Sequence, residues 1–310
     1  MSGEKRVLLT GASGFIGRHA VEPLLRHGYD VHAVSSAPAR LLNTGATWHE
    51  ADLLDPSASN GLVEKIRPSH CLHFAWYTAH GKFWTATENL QWVEASLRLV
   101  RDLARYGCGR VVLAGTCAEY DWHDGWCGEE TTELRPATLY GASKNGLRSI
   151  VESFCAQTGL SHAWGRIFLL YGPGESPQRL IPAVIRACLK GDAPQCSHGR
   201  QIRDFLHVKD EAEAFVALLD SAVEGAVNIG SGEPVAVREI VKKIVALCGA
   251  KEADFGAIPA PANDPPKLLP KVERLKNEVG WRPRIDLEAG LLDTIDALRS
   301  GMKSENLKRD

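Results

Sequence analysis

Gly11, Gly14 and Gly17 stand three residues apart, directly after the apolar run Arg6-Val-Leu-Leu-Thr10 and directly before a helical pattern. Few short features restrict a chain more. The run predicts a buried strand, and the glycines a turn into a helix. The first glycine allows the tight turn, the second lets backbone approach a pyrophosphate, and the third lets helix and strand pack closely. The helix start then faces the phosphates with unpaired N–H groups. The loop thus predicts a dinucleotide site, with Ser13, Phe15 and Ile16 between the glycines.

The rest of the first half keeps the alternation. Strands are predicted at Asp30–Ser35, Thr47–Asp52, His70–Ala75, Arg110–Ala114 and His162–Leu170. Helices are predicted at Phe15–His27, closed by Gly28 and kinked at Pro23, and at Thr87–Tyr106 and Tyr140–Gln157. This order predicts an α/β, Rossmann-type, doubly wound parallel sheet. After Gly172, proline, glycine and short elements dominate, with helices at Asp210–Leu219 and Val237–Cys248. The expected organisation is a nucleotide domain over 1–171, with later returns of the chain at about 205–232. A smaller C-terminal substrate-binding part covers 172–299, and 300–310 is a frayed tail.

Composition removes several function classes. Lys plus Arg number 36 and Asp plus Glu 38 in 310 residues, a formal charge of −2. That balance predicts no nucleic-acid footprint and no polybasic membrane surface. With 44% apolar and 24% charged residues the chain is ordinary globular protein. No run approaches the ~18 apolar residues of a membrane span. The N-terminus lacks a signal-peptide core, so a cytoplasmic location is expected. The eight cysteines are scattered without a C-x-x-C pair. No metal site is expected, and the thiols are read as reduced core residues.

Landmarks beyond the glycine loop match one family in order. Tyr140-Gly-Ala-Ser-Lys144 resembles its Y-x-x-x-K, and Ala114-Gly-Thr-Cys-Ala-Glu-Tyr120 sits where it carries a catalytic Ser or Thr. Arg166 to Gly174, Gln201 to Asp210, Asn228-Ile-Gly-Ser-Gly232 and Gly280-Trp-Arg-Pro283 match further landmarks. The chain resembles the extended short-chain dehydrogenase/reductases, the NAD(P)-dependent nucleotide-sugar epimerases, dehydratases and reductases, from residue 6 to about 295.

Tyr140 and Lys144 share a helix face, being four residues apart. A free phenol has a pKa near 10, and a neighbouring ammonium plus an oxidised nicotinamide would favour phenolate. The resemblance implies that Tyr140 is the general acid/base, that Thr116 orients the substrate, and that Lys144 tunes Tyr140 and grips the nicotinamide ribose. Family dehydratases carry acids where this chain has Cys117 and Ala118, so dehydration is disfavoured. Glu119 is one position off and is not assigned a role. What remains is a ketoreductase, an epimerase that oxidises and re-reduces one carbon, or a protein of another class that senses NADP without catalysis.

An NAD site places an acid at the end of strand two. Here stand Ser35, Ser36 and Arg40, which suit a 2′-phosphate, so NADP(H) is favoured over NAD(H). The resemblance adds Asp52 and Leu53 at the adenine, and Phe74, Ala75 and Trp76 after strand four. Thr78, Gln178, Arg179 and Arg203 are expected to meet a nucleotide-linked sugar, Arg203 at its diphosphate. Leu169 replaces an Asn that touches a phosphate in the family, so the diphosphate grip is built differently. His73 reads as a satisfied core histidine. A homodimer through the helices near 87–106 and 140–157 is implied, with Leu97, Val100, Leu103 and Ala104 as apolar face. The expected activity is reduction of a 4-keto-6-deoxyhexose nucleotide at C4, with the NAD-dependent 4-epimerase as the alternative.

Overall fold

The computed structural model describes residues 5–37, 44–260 and 264–306. The chain runs β1 (Arg6–Thr10), α1 (Gly17–Arg26), β2 (Asp30–Ser35), β3 (Thr47–Glu50), α2 (Ala58–Ile66), β4 (His70–His73), α3 (Glu88–Arg105) and β5 (Arg110–Thr116). Then follow β6 (Trp126–Cys127), α4 (Leu139–Thr158), β7 (Ser161–Ile167), β8 (Leu169–Tyr171), α5 (Leu180–Lys190), β9 (Gln195–Cys196), β10 (Ile202–His207) and α6 (Val208–Asp220). The last elements are β11 (Gly225–Ile229), β12 (Pro234–Ala236), α7 (Val237–Cys248), β13 (Asp254–Phe255), β14 (Lys267–Pro270), α8 (Glu273–Asn277) and α9 (Leu287–Asn306).

Seven strands form one parallel sheet in the order β11-β7-β5-β4-β1-β2-β3. Alternation along each strand explains why both faces are covered. Val7 and Leu9 of β1 point into a core with Ala20, Leu24 and Phe215 from α1 and α6. Leu8, between them, points to the other side, among Val63, Leu99 and Leu147 from α2, α3 and α4. The strand order reverses between β1 and β4, and in such sheets ligands bind beyond the strand ends at that reversal.

The expected strand over 162–170 is two strands. It breaks at Phe168, whose side chain turns into a small core with Cys117, Tyr120, Cys127 and Leu268. Beyond the break β8 leaves the large sheet and pairs with β10, in register Leu169↔Phe205 and Tyr171↔His207. The smaller lobe packs α5, α7 and α9 around Ile181, Ile185, Ile240, Ile244 and Leu291. The tail also differs from expectation, since α9 continues past Ser300 to Asn306. The apolar face expected on α3 points inward: Val100 and Leu103 are buried, and Leu97 and Ala104 pack against the same core. The large exposed apolar side chains of α3 and α4 are Leu90 and Ile150.

Candidate active site

The glycine loop has the geometry its spacing predicts. Gly11 adopts φ +66°, and a Cβ there would lie 2.7 Å from Ala75 N in the segment after β4. A Cβ at Gly17 would lie 2.2 Å from Gly11 O, so α1 closes on the loop only because no side chain intervenes. Gly14 donates its N–H to Gly11 O at 2.9 Å. The start of α1 has no side-chain cap, which leaves N–H groups for an anion. The loop is therefore a cradle that fits a dinucleotide pyrophosphate. Ser13 Oγ lies 2.9 Å from Ser35 Oγ, joining the loop to the tip of β2. Ser36 is exposed beyond it, and Arg40 lies outside the described residues. Phe15 and Ile16 pack partly into the core. Asp52 is exposed and accepts the N–H of Leu54 at 3.0 Å. Leu53 is buried with Val34 and Leu62, so of these two side chains only Asp52 is placed to meet an adenosine.

Thr116, Tyr140 and Lys144 come together through two local devices. The first is a capping box at the end of β5. Thr116 Oγ1 accepts Ala118 N at 3.2 Å, and Glu119 Oε1 accepts Thr116 N at 2.8 Å. The second is close packing of α4 on that turn. Thr138 caps α4 by accepting Gly141 N, and a Cβ at Gly141 would lie 2.3 Å from Ala118 O. The Tyr140 phenol thereby comes beside Thr116, whose side chain favours the charged form of the phenol.

Burial sets the charge of both partners. The Tyr140 phenol is pushed well above its ordinary value by desolvation, while Thr116 and the charge of Arg179 pull it back. Lys144 is brought down to about 7 by desolvation, against the pull of Glu119. Its ammonium donates to Ala114 O at 2.9 Å and lies 3.6 Å from the centre of the Trp76 ring. A cation whose charge pulls the Tyr140 phenol down is Arg179.

An aromatic wall surrounds the pair. Phe83 and Trp84 meet the Tyr140 ring edge to face, with centres 4.9 Å and 5.8 Å away. Trp76 Nε1 donates to Asn89 Oδ1 at 2.8 Å, and Asn89 Nδ2 donates to Phe83 O and Ala86 O. One side chain thus braces the whole 76–86 segment. Phe74 packs edge-on against Phe215, and Thr78 is exposed.

Glu119 is a residue the sequence reading left without a role. It is completely buried. Besides Thr116 N, it accepts Trp164 Nε1 at 2.9 Å and Arg166 Nε at 2.8 Å. Arg166 in turn donates to the Tyr120 hydroxyl at 2.7 Å. Gly115 makes room, since a Cβ there would lie 2.1 Å from Trp164 Nε1. Glu119 holds the backbone of Thr116, with both carboxylate oxygens taken up by donors. The capping-box spacing Thr116-x-x-Glu119 is the signal that could have found it.

The substrate side agrees less with expectation. The Arg203 guanidinium is buried and spent on Asp264, on Pro265 O and on Ile202 O, so it presents no fork to a diphosphate. Nor is its partner the adjacent Asp204, which accepts Ser231 N and Gly232 N. Gln178 is exposed and accepts the Ser176 hydroxyl. Arg179 is half-exposed and donates its Nε to Glu175 Oε1 at 3.3 Å. His73 bonds Thr10 and Ser96 and is held down to about 3 by burial, as a core histidine should be. Among the described residues no cluster of metal-ligating side chains occurs, and no helix is long and apolar enough to cross a membrane.

Fold and site together define an enzyme of the extended short-chain dehydrogenase/reductase class. The model of the NAD dependent epimerase/dehydratase family matches residues 7–230, and the chain belongs to that family. A UDP-glucose 4-epimerase of Corynebacterium glutamicum is 28% identical, over 90% of this chain and 91% of its own. A dTDP-glucose 4,6-dehydratase of an Actinoplanes species is 26% identical, over 94% and 96%. Among solved structures, MoeE5 in complex with UDP-glucuronic acid and NAD is 30% identical with a TM-score of 0.82, covering 96% of this chain and 99% of its own.

Proposed function

We propose that this protein is an NADP(H)-dependent ketoreductase acting at C4 of a 4-keto-6-deoxyhexose carried on a nucleoside diphosphate. The observation that carries this reading is the immobilised Glu119. The dehydratase positions hold Cys117 and Ala118, and the one carboxylate between Thr116 and Tyr120 is bound on both oxygens. Water elimination lacks an acid here, and hydride transfer with one proton remains.

When bound, the reduced nicotinamide supplies the hydride. Tyr140, kept protonated by burial, donates its proton to the carbonyl oxygen as that oxygen becomes an alcohol. Thr116, fixed by its capping box, orients the same oxygen. The Phe83 and Trp84 rings beside Tyr140 favour a methyl at C6 over a hydroxymethyl, which such a wall would desolvate. Arg179 offers the rest of its guanidinium to the diphosphate. A 2′-phosphate is favoured by the serines that end β2, in place of an acid on that strand.

A 4-epimerase with retained NAD is the second reading, favoured by MoeE5, whose complex holds NAD. One preparation separates the two. The protein is purified and denatured, and any released nucleotide is identified. Intact protein is then given nucleotide-linked 4-keto sugars with NADPH. The expected result is little retained NAD and a product two hydrogens heavier by mass spectrometry. Stoichiometric NAD with no net reduction puts the epimerase first. Ser35→Asp with Arg40→Ala should weaken NADPH binding about tenfold or more and spare NADH, the loss of one charge-assisted contact. Equal affinity of the parent for both cofactors sinks the 2′-phosphate site.

A further inference from the structure

Glu175 is a carboxyl group for which the chemistry above has no use. It sits in the loop after β8, and its side chain is only 5% exposed. Oε1 accepts Arg179 Nε, while Oε2, buried as well, has no hydrogen-bond partner among the described residues. Orphaned buried oxygens are costly and uncommon, and in a cleft they point to function. The loop is anchored from the nucleotide side. His19 Nε2 lies 3.1 Å from Pro173 O, and Gly174, at φ +88°, turns against the Arg18 guanidinium. From this place Arg179 extends its charge toward Tyr140.

We propose that Glu175 couples nucleotide-sugar binding to proton uptake: when the anionic diphosphate seats on Arg179, Glu175 takes one proton from solvent. The only bond formed is the carboxyl O–H, and no group is oxidised or transferred. The proposal rests on the reading of this cleft as a nucleotide-sugar site with Arg179 at the diphosphate. Its physical basis is competition for one cation. Phosphate and carboxylate on the same guanidinium repel each other strongly where water is excluded. Burial already raises Glu175 to about 7 against the pull of Arg179, so a second anion carries it across neutral pH.

Other groups border this loop. Arg18 and His19 of α1 meet it at Gly174 and Pro173, His207 of β10 lies against Gly172, and the charge of Arg179 reaches Tyr140 of α4, the helix that also carries Lys144. His19 is lowered by burial and Lys144 stands at about 7, so Lys144 titrates in the same range. Its ammonium is engaged by Ala114 O and Trp76, and a variant confined to Glu175 separates its contribution.

The test is calorimetric titration of the intact protein with UDP-glucose and dTDP-glucose, whose diphosphates do not titrate near neutrality. Between pH 7 and pH 8, two buffers of different ionisation enthalpy should report uptake of about half a proton by the parent, a measurement that needs no variant. Parent affinity should fall about fivefold or more from pH 6 to pH 8.5. Glu175→Gln keeps the shape and loses the charge. It should show no uptake, affinity constant within about twofold, and tighter binding than the parent at pH 8.5. A carboxylate that only props up Arg179 would instead give a variant that binds more weakly at every pH, and that result refutes the coupling. So does zero uptake by the parent, with the nucleotide-sugar reading left standing. Failure of both probes to bind the parent at any pH overturns that reading and the coupling with it.

Discussion

Tyr140 carries the proton of the proposed reaction, and its neighbours are arranged to keep it there until needed. Tyr140→Phe deletes one oxygen and leaves the edge-to-face contacts in place. Turnover should fall about a hundredfold or more, with cofactor affinity retained; steady-state rates near those of the parent would remove Tyr140 from the mechanism. A different residue adds to the acid sensitivity of the fold. His73 is buried neutral, with its pKa lowered from 6.5 to about 3. Between those values the unfolded chain binds the extra proton, so stability falls as pH drops through that window, and His207, lowered to about 4 by burial, acts in the same direction. The share of His73 in the slope should approach about 1.4 kcal/mol per pH unit. Urea unfolding at a series of pH values should show it, and His73→Gln should reduce the slope by that share. An identical slope in the variant would place the acid sensitivity elsewhere.

The elements differ in how openly the sequence announces them. The β1 turn and α1 were readable because Gly11, Gly14 and Gly17 act within seven residues, and each is required by a contact inside that span. Gly17→Ala puts a methyl against Gly11 O. The expected result is loss of about tenfold or more in cofactor affinity and about 1–3 kcal/mol in stability, from overpacking where backbone meets backbone. Unchanged dinucleotide binding by fluorescence titration would contradict that geometry. The break at Phe168 was not readable. The run 162–170 contains one internal glycine and no proline, and only the later strand β10 draws Leu169 to Tyr171 away from the large sheet. Arg203 was misplaced for a like reason, because its partner Asp264 lies 61 residues on. The candidate catalytic residues Thr116, Tyr140 and Lys144 were read from motif spacing. The buried Glu119–Arg166 pair that fixes one of them ties the turn after β5 to β7, and no local pattern joins the two residues.

At the scale of the whole molecule, two bare apolar side chains, Leu90 and Ile150, stand on α3 and α4. We predict that these helices meet their copies in a homodimer, which would cover both residues. Sedimentation at micromolar concentration should report twice the 33.8 kDa of one chain. Leu90→Lys with Ile150→Lys should shift it to monomer; a parent already monomeric refutes the interface. One feature of the sheet bears on how such a chain is born. Its last place is filled by Gly225–Ile229, which pairs with β7 after the chain has already visited the smaller lobe. Phe215, Leu218 and Leu219, which cover one face of that sheet, are also made late. A ribosome that has released the glycine loop, the Thr116 turn and the Tyr140 helix has therefore not released a finished nucleotide lobe. Until about residue 230 emerges, β7 presents a bare edge and the sheet an uncovered apolar face, the combination that nascent chains need chaperones to shield.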